Sequence, residues 1–450
     1  MAYSSRLDRR RCTRLTFLFG LVVLFLLWLN PNWTDTSIHQ VSRFDARDVD
    51  LTNPVVTQNL CQQHGWKPFK NAAGRKVYDL IMVNTELEWL EIRLNGTYNY
   101  VDYFVIVESA KTFTNRDKPL LIKENMDRFA AYRDKIIYHQ LEIPDGFHSD
   151  RANPAWAWED LQRNAMYDQV LPRLTGPNAP VDGDVLIVAD VDELIRPETI
   201  LVLKACTFPR RLTLRSSFYY YSFQFMHRGL QWAHPQATYY QGWRTILPVN
   251  LRNSDGGLQP LIRLEMGDLW SAGWHCSTCF STIDEVLTKL ASFSHVWMNQ
   301  DVYRDRDRIA DRVRNGKDLW DREGQYYDRL ENNKDVPELL LKEPDRFPWL
   351  LNRDGPTAGF QDYSGSFDTS YCLMNNGGQL TASDNGDYWR TCKGCTVRAS
   401  NAAFIVNCTC LLSGVRVATA AYDLNKVIWN HDGYLGCFGH FGNRSARGPF

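Results

Sequence analysis

Val185-Leu186-Ile187-Val188-Ala189-Asp190-Val191-Asp192-Glu193 is the stretch that decides the fold. Its first five residues are all apolar and read as a short strand buried on both faces. Such strands belong to parallel sheets covered by helices. Two aspartates follow at the strand's carboxyl end. Alternation along an extended chain sends Asp190 and Asp192 to the same side. A carboxylate pair so placed can hold a hard divalent cation, Mn2+ or Mg2+, and leave positions for water and phosphate. Such a cation neutralises charge developing on a diphosphate leaving group. D-x-D alone is as often a solvated turn; its place at the end of a buried strand gives it weight.

Outward from this stretch, strands alternate with helices. Val77 to Val83, Val101 to Val107 and Ile136 to Leu141 read as further strands. Glu86 to Leu94 has helical spacing, with Leu87, Leu90 and Leu94 on one face. Met126 to Lys135, Ala157 to Leu174 and Glu198 to Lys204 read as helices. The pattern implies an α/β class with a mostly parallel sheet flanked by helices, spanning residues 76–352. Open sheets of this kind bind ligands at the carboxyl ends of their strands. Leu212 to Phe225, with the aromatic run Phe218 to Tyr221, reads as longer β-structure. Asp305 to Asp321 and Pro337 to Leu351 read as charged helices. Residues 353–365, rich in Gly, Asp and Ser, form a linker. Beyond it charge falls and Cys density rises, so residues 366–440 read as a small β-rich module.

The first 14 residues carry five arginines, and Leu15 to Leu29 has no charge. A cleaved signal peptide and an uncleaved anchor compete for this pattern. The run ends Leu29-Asn30-Pro31-Asn32-Trp33, without the small residues of a cleavage site, which favours a transmembrane signal anchor at 15–30. The basic flank, 1–14, then stays cytoplasmic, and the rest faces the lumen of the secretory pathway, at the Golgi membrane. Residues 31–75 read as a polar stem. Cys12 is cytoplasmic; the ten remaining cysteines suit disulfides in an oxidising compartment. Sequons begin at Asn95, Asn407 and Asn443. With 51 basic and 52 acidic residues the chain shows no basic footprint for nucleic acid. Aromatic residues make up 13% of the chain; most fill the core, and some can stack on sugar rings.

A second constellation is Ala272-Gly273-Trp274-His275-Cys276-Ser277-Thr278-Cys279-Phe280. C-x-x-C beside His suits zinc or thiol chemistry, but zinc needs more ligands than this region supplies. A disulfide, between these two or to Cys206, is the preferred reading. Trp274 is placed to stack on a sugar, and His275 to touch phosphate or metal. Downstream, His295 is either a further metal ligand or structural.

In this order, Tyr78-Asp79-Leu80 with Glu86 to Leu94, Val101-Asp102 with Val107-Glu108-Ser109, Ala189 to Leu194, Ala272 to Phe280, and Leu339 to Leu351 resemble glycosyltransferase family 17. That family comprises β-1,4-mannosyl-glycoprotein 4-β-N-acetylglucosaminyltransferases. The resemblance implies a GT-A-like nucleotide-diphosphosugar transferase fold and UDP-N-acetylglucosamine as donor. It implies inversion at the anomeric carbon and a mannose of a glycoprotein N-glycan as acceptor. Asp190 and Asp192 would bind metal and UDP, with Glu193, Glu108, Trp274 and His275 about the donor. Single-step inversion needs a general base; Asp284 and Glu285 are candidates, unless they only favour a helix N-terminus. Ser366-Phe367 with Cys372, Phe404 to Cys408, Tyr422 to Asn425 and Ile428 to Leu435 resemble one cyanovirin-N homology repeat, a family of sugar-binding β-lectins. Two alternatives stand beside an enzyme: a lectin-like protein on an inactive transferase scaffold, and a glycosidase with paired carboxylates. The sequence leaves the oligomeric state open.

Overall fold

A computed structural model describes residue 20 and residues 40–445, except 356, 362–363, 367–368, 401–402, 414–415, 432–433 and 442. No helix among the described residues is long and apolar enough to cross a membrane. The expected tail and anchor lie, Gly20 aside, outside the described residues.

Three apolar runs form the centre of the sheet: β1 (Val77–Met82), β2 (Tyr103–Glu108) and β4 (Val185–Asp190). β3 (Ile136–Gln140) joins them, and the order β4-β1-β2-β3 is parallel throughout. These strands read as continuous apolar runs because both faces are covered. Val77, Ile81, Phe104, Ile106, Val185 and Ile187 enter one core. Tyr78, Leu80, Val105, Val107, Leu186 and Val188 enter another. The exception is Asp79, 1% exposed inside a buried strand.

Six helices matter here: α1 (Pro54–Gln62), α2 (Leu87–Thr97), α3 (Ala155–Ala165), α4 (Pro197–Ala205), α5 (Ile283–Ser292) and α6 (Arg306–Arg314). From α2, Arg93 answers Asp79 with two charge-assisted hydrogen bonds of 2.6 and 2.7 Å. A buried carboxylate without such a partner would be strongly unfavourable.

The sheet as a whole is mixed, not mostly parallel. β5 (Glu193–Ile195), β6 (Arg211–Tyr220), β7 (Ser222–His227), β8 (Gln236–Tyr239), β9 (Met266–Ser277) and β10 (Tyr327–Arg329) complete it. β8 runs antiparallel between β4 and β6, and β7, β10 and the β5–β9 pair add further antiparallel ladders. The aromatic run Phe218 to Tyr221 marked this stretch as β-structure but carried no information on direction. Four expected helices are shorter or tighter than read; Asp305 to Asp321 is helical only over Arg306–Arg314. Met126–Lys135 is a 3-10 helix, α3 gives way to a π-turn at Met166–Val170, and Pro337 to Leu351 holds three short turns separated by Pro344 and Pro348.

The segment expected as a stem is packed on the domain from Gln40 onward. Val41 N–H donates to Trp270 O at 2.9 Å. Cys61 of α1 is buried and bridged to Cys206. Arg75 donates to the carbonyls of Leu203 and Cys206. A leucine and a cysteine on one face of α1 were enough to dock it; the surrounding polar residues masked this in the sequence.

The C-terminal module is all β. β11 (Ser364–Ser366) pairs with β20 (Asn443–Ser445), which closes the two ends of the module on each other. Between them lie the hairpin β12–β13 (Leu373–Asn376, Gln379–Ala382), the meander β14–β15–β16 (Cys392–Ser400, Ala403–Ser413, Arg416–Asp423), and the short strands β17–β18–β19 (Trp429–His431, Tyr434–Cys437, His440–Phe441). Disulfides join Cys372 to Cys437, Cys392 to Cys410 and Cys395 to Cys408.

Candidate active site

A cleft of about 750 Å³ opens where β1 and β4 end. Met82, Val83 and Asn84 line it at the end of β1, and Asp190, Val191 and Asp192 line it at the end of β4. The carboxyl ends of parallel strands form such a crevice because the chain must leave the sheet there.

The Asp190–Glu193 turn is held from behind. Arg93 Nη1 donates to the carbonyls of Glu193 at 2.6 Å and Asp190 at 3.2 Å. The Glu193 side chain is fully buried and does not line the cleft. It accepts from Asp190 N–H at 3.0 Å, from Trp232 Nε1 at 2.8 Å and from Arg252 at 2.7 and 2.8 Å. Burial by itself would raise the Glu193 pKa; Arg252 outweighs that and holds it far below the usual range. Glu193 therefore positions the motif and does not contact a ligand in the cleft.

Asp190 sits between two guanidinium groups. Arg163 Nη1 from α3 lies 2.9 Å from Oδ1, and Arg252 Nη2 from the turn Pro248–Arg252 lies 2.7 Å from Oδ2. Burial would raise this carboxyl too, and the two arginines hold it below its ordinary value. Asp192 is less neutralised: Lys289 Nζ of α5 lies at 3.5 Å and His275 Nδ1 at 3.7 Å. Among the described residues, no group of three or more His, Cys, Asp or Glu side chains stands together as a metal cage. The donor set still fits a Mg2+- or Mn2+-type ion, which takes one or two carboxylates and completes its sphere with phosphate and water. Asp192, whose ion pairs are the longer ones, is the carboxylate for that role, with Asp190 beside it in the cleft wall.

Pairing of β5 with β9 brings the second motif here. Glu193 lies opposite His275, Leu194 opposite Trp274, and Ile195 opposite Gly273. A Cβ at Gly273 would stand 2.0 Å from Leu194 O, so only glycine admits β5 this closely. Alternation then separates two neighbours. His275 faces the cleft, stacked on Trp232 at 4.5 Å and Phe218 at 5.2 Å. Trp274 points away; its Nε1 donates to Asp335, and Arg196 covers its ring at 3.9 Å. The expected sugar-stacking role of Trp274 is thus replaced by a packing one. Cys276 and Cys279 form a disulfide, so their sulfurs are not zinc ligands.

The other expected residues lie elsewhere. Glu108 is fully buried and accepts from the backbone of Ile122 and Lys123 and from Tyr138 Oη, capping a helical turn and not a donor. Glu285 completes a capping box with Thr282 at the start of α5. Asp284 is exposed and paired with Arg306. Neither lines the cleft; both serve a helix N-terminus. His295 does line it, edge to face on Trp156 at 4.8 Å and 88°. It is not gathered with the two aspartates into a metal site.

Arg163, Arg252, Lys289 and Trp232 were invisible in the sequence, where charged residues of helices and turns look like solvated ones. Asp79 did carry a signal: a carboxylate in a buried run demands a partner.

The model of glycosyltransferase family 17 matches residues 23–354, and that of the CVNH domain matches residues 355–436. The Beta-1,4-mannosyl-glycoprotein 4-beta-N-acetylglucosaminyltransferase of Homo sapiens is 30% identical over 317 residues, covering 62% of this chain and 55% of that protein. The protein of the same name from Rattus norvegicus is 29% identical over 311 residues, covering 62% and 54%. The chain thus spans about half the length of these curated relatives. The NMR structure of GzCVNH from Gibberella zeae is 15% identical and covers 16% of this chain and 68% of its own, at a TM-score of 0.15, too weak a likeness to carry weight. A family match running through β1, the Asp190–Glu193 turn and the β9 motif means that the chain belongs to glycosyltransferase family 17.

Proposed function

We propose that the chain is an inverting transferase that moves N-acetylglucosamine from UDP-N-acetylglucosamine to a mannose of an N-linked glycan. One observation carries this reading: a strand-end carboxylate, Asp192, faces a cleft whose wall supplies Arg163, Arg252 and Lys289. That wall suits a diphosphate, whose negative charge grows as the sugar leaves. The parallel order β4-β1-β2-β3 with the motif at the end of β4 supports a GT-A-like nucleotide-diphosphosugar fold. Sugar and acceptor follow from the names of the curated relatives. When bound, a divalent cation at Asp190 and Asp192 supplies Lewis-acid stabilisation of the departing diphosphate. The chain's own groups orient that end: Glu193 and Arg93 fix the turn, and Arg163 and Arg252 fix Asp190. Lumenal placement behind a Golgi membrane anchor is part of the same reading, supported by the basic flank, the apolar run and five disulfides.

The test is to incubate the full chain with UDP-N-acetylglucosamine and mannose-terminated N-glycans, with Mn2+ or with a chelator. Transfer that requires the cation and is lost in Asp192→Ala is expected. Transfer at the native rate in Asp192→Ala would sink the site. The match of residues 355–436 to the CVNH domain favours a second reading, a sugar-binding module. Mannan binding without any transfer would replace the enzyme with that lectin reading.

A further inference from the structure

The transferase reading leaves one catalytic role unfilled, and any residue assigned to that role depends on the transferase reading. Something must take the proton of the attacking hydroxyl. Single-step inversion puts that group on the face of the anomeric carbon opposite the leaving diphosphate. The wall around Asp190 and Asp192 is the diphosphate side, so the proton acceptor belongs across the cleft. Helix α3 spans the gap. Arg163 binds Asp190, and Trp156 stands seven residues earlier, roughly 10 Å along the axis. That distance leaves room for a diphosphate and a sugar ring. At its far end His295 packs on Trp156.

The ionisable groups of the cleft differ in what already holds them. Glu159 gives one oxygen to Arg163 at 2.8 Å and the other to Ser294 Oγ at 2.6 Å. Asp160 is bound by Arg151 at 2.6 Å. Glu86 accepts from the backbone N–H groups of Asn84 and Thr85. His234 Nδ1 is held by Gln236, and His275 lies against Asp192, on the diphosphate side. Among the described residues, neither ring nitrogen of His295 makes a hydrogen bond or an ion pair, and its half-buried ring lines the cleft. Two residues on, Trp297 lines the same wall and is 49% exposed, an aromatic face on which an acceptor ring can stack.

We propose that His295 is the general base. A ring nitrogen takes the proton of the acceptor hydroxyl while the hydroxyl oxygen bonds to the anomeric carbon. The bond from that carbon to the β-phosphate oxygen breaks, and its electron pair leaves with UDP. The imidazolium then returns its proton to solvent. Burial lowers the His295 pKa; Glu159 on α3 opposes the shift and Arg322, also in the cleft lining, reinforces it. The ring is thereby neutral, with a free electron pair, at neutral pH.

The experiment is full-chain kinetics of the native protein, His295→Ala, His295→Gln and Asp160→Asn, with UDP-N-acetylglucosamine and a mannose-terminated glycan. For both His295 variants, kcat is expected to fall about 10²–10⁴-fold, while the donor KM stays within about threefold. Added imidazole is expected to restore part of the His295→Ala rate, and the acid limb of the native pH profile is expected to vanish. A structural role for His295 would show neither effect. Near-native kcat in both His295 variants, or loss of kcat only in Asp160→Asn, overturns the proposal while native transfer upholds the parent reading. A native protein that transfers nothing overturns both.

Discussion

Strands β1, β2 and β4 are covered by apolar side chains on both faces, whereas five of the eleven buried core residues of the C-terminal module are cysteines. The sheet domain has enough interior to keep its shape by packing, and even to bury the Asp79–Arg93 ion pair. A domain of roughly 80 residues buries a smaller share of its surface, so covalent bridges take over part of that task. The difference teaches where each region is vulnerable. The sheet domain is exposed to loss of a buried partner, the module to reduction.

The sharpest break of that comparison is reductant. Each bridge contributes about 2–4 kcal/mol, so losing all three exceeds what a small core supplies. Limited proteolysis under reduction is expected to cut within residues 364–445 first, leaving the sheet domain as a resistant fragment. Equal digestion of both regions would erase the distinction. Next comes Arg93→Met, which leaves Asp79 buried and unpaired at a cost of about 3–5 kcal/mol. The sheet domain's Tm should fall, the module's transition should not, and Asp79→Leu in the same chain should recover most of the loss. Asp192→Asn addresses the cleft alone. Transfer is expected to drop about 10²–10³-fold, with stability changed by under about 0.5 kcal/mol.

Acid sharpens the contrast further. The Asp190 and Glu193 carboxyls are held below their unfolded values, so their contribution is fully present above about pH 4–5. It drains away as pH falls toward the folded values. Thermal scans of the sheet domain should be flat from these groups between pH 7 and 5 and fall steeply below. A decline already complete at pH 5 would contradict the paired geometry. The smallest effect is expected from Trp297→Ala: lost stacking of about 0.5–1.5 kcal/mol should raise the acceptor KM by up to about tenfold and leave donor KM unchanged.

Much of the sheet was legible because strands buried on both faces leave an unbroken apolar run, as in VLIVA at 185–189. The mixed half was not, since β6 runs parallel to β9 but antiparallel to β7 and β8, and its residues suit either direction until the partners decide. Glu108, Asp284 and Glu285 sat near the right motifs in sequence, yet each satisfies a local helix start, a use that sequence proximity cannot separate from catalysis. Trp274 and His275 show the same limit. Alternation guarantees that they face opposite ways, and the register of β5 against β9 selects which one sees the cleft.

Local alternation and composition were sufficient to put Asp190 and Asp192 at the end of a buried strand, because those properties act over a few neighbouring residues. What surrounds the pair was decided only in three dimensions. Arg163 arrives from 27 residues before Asp190 and Arg252 from 62 after it, while His275 meets Asp192 across 83. No local preference encodes such meetings; they follow from which strands pair and which helices those pairings carry to the cleft.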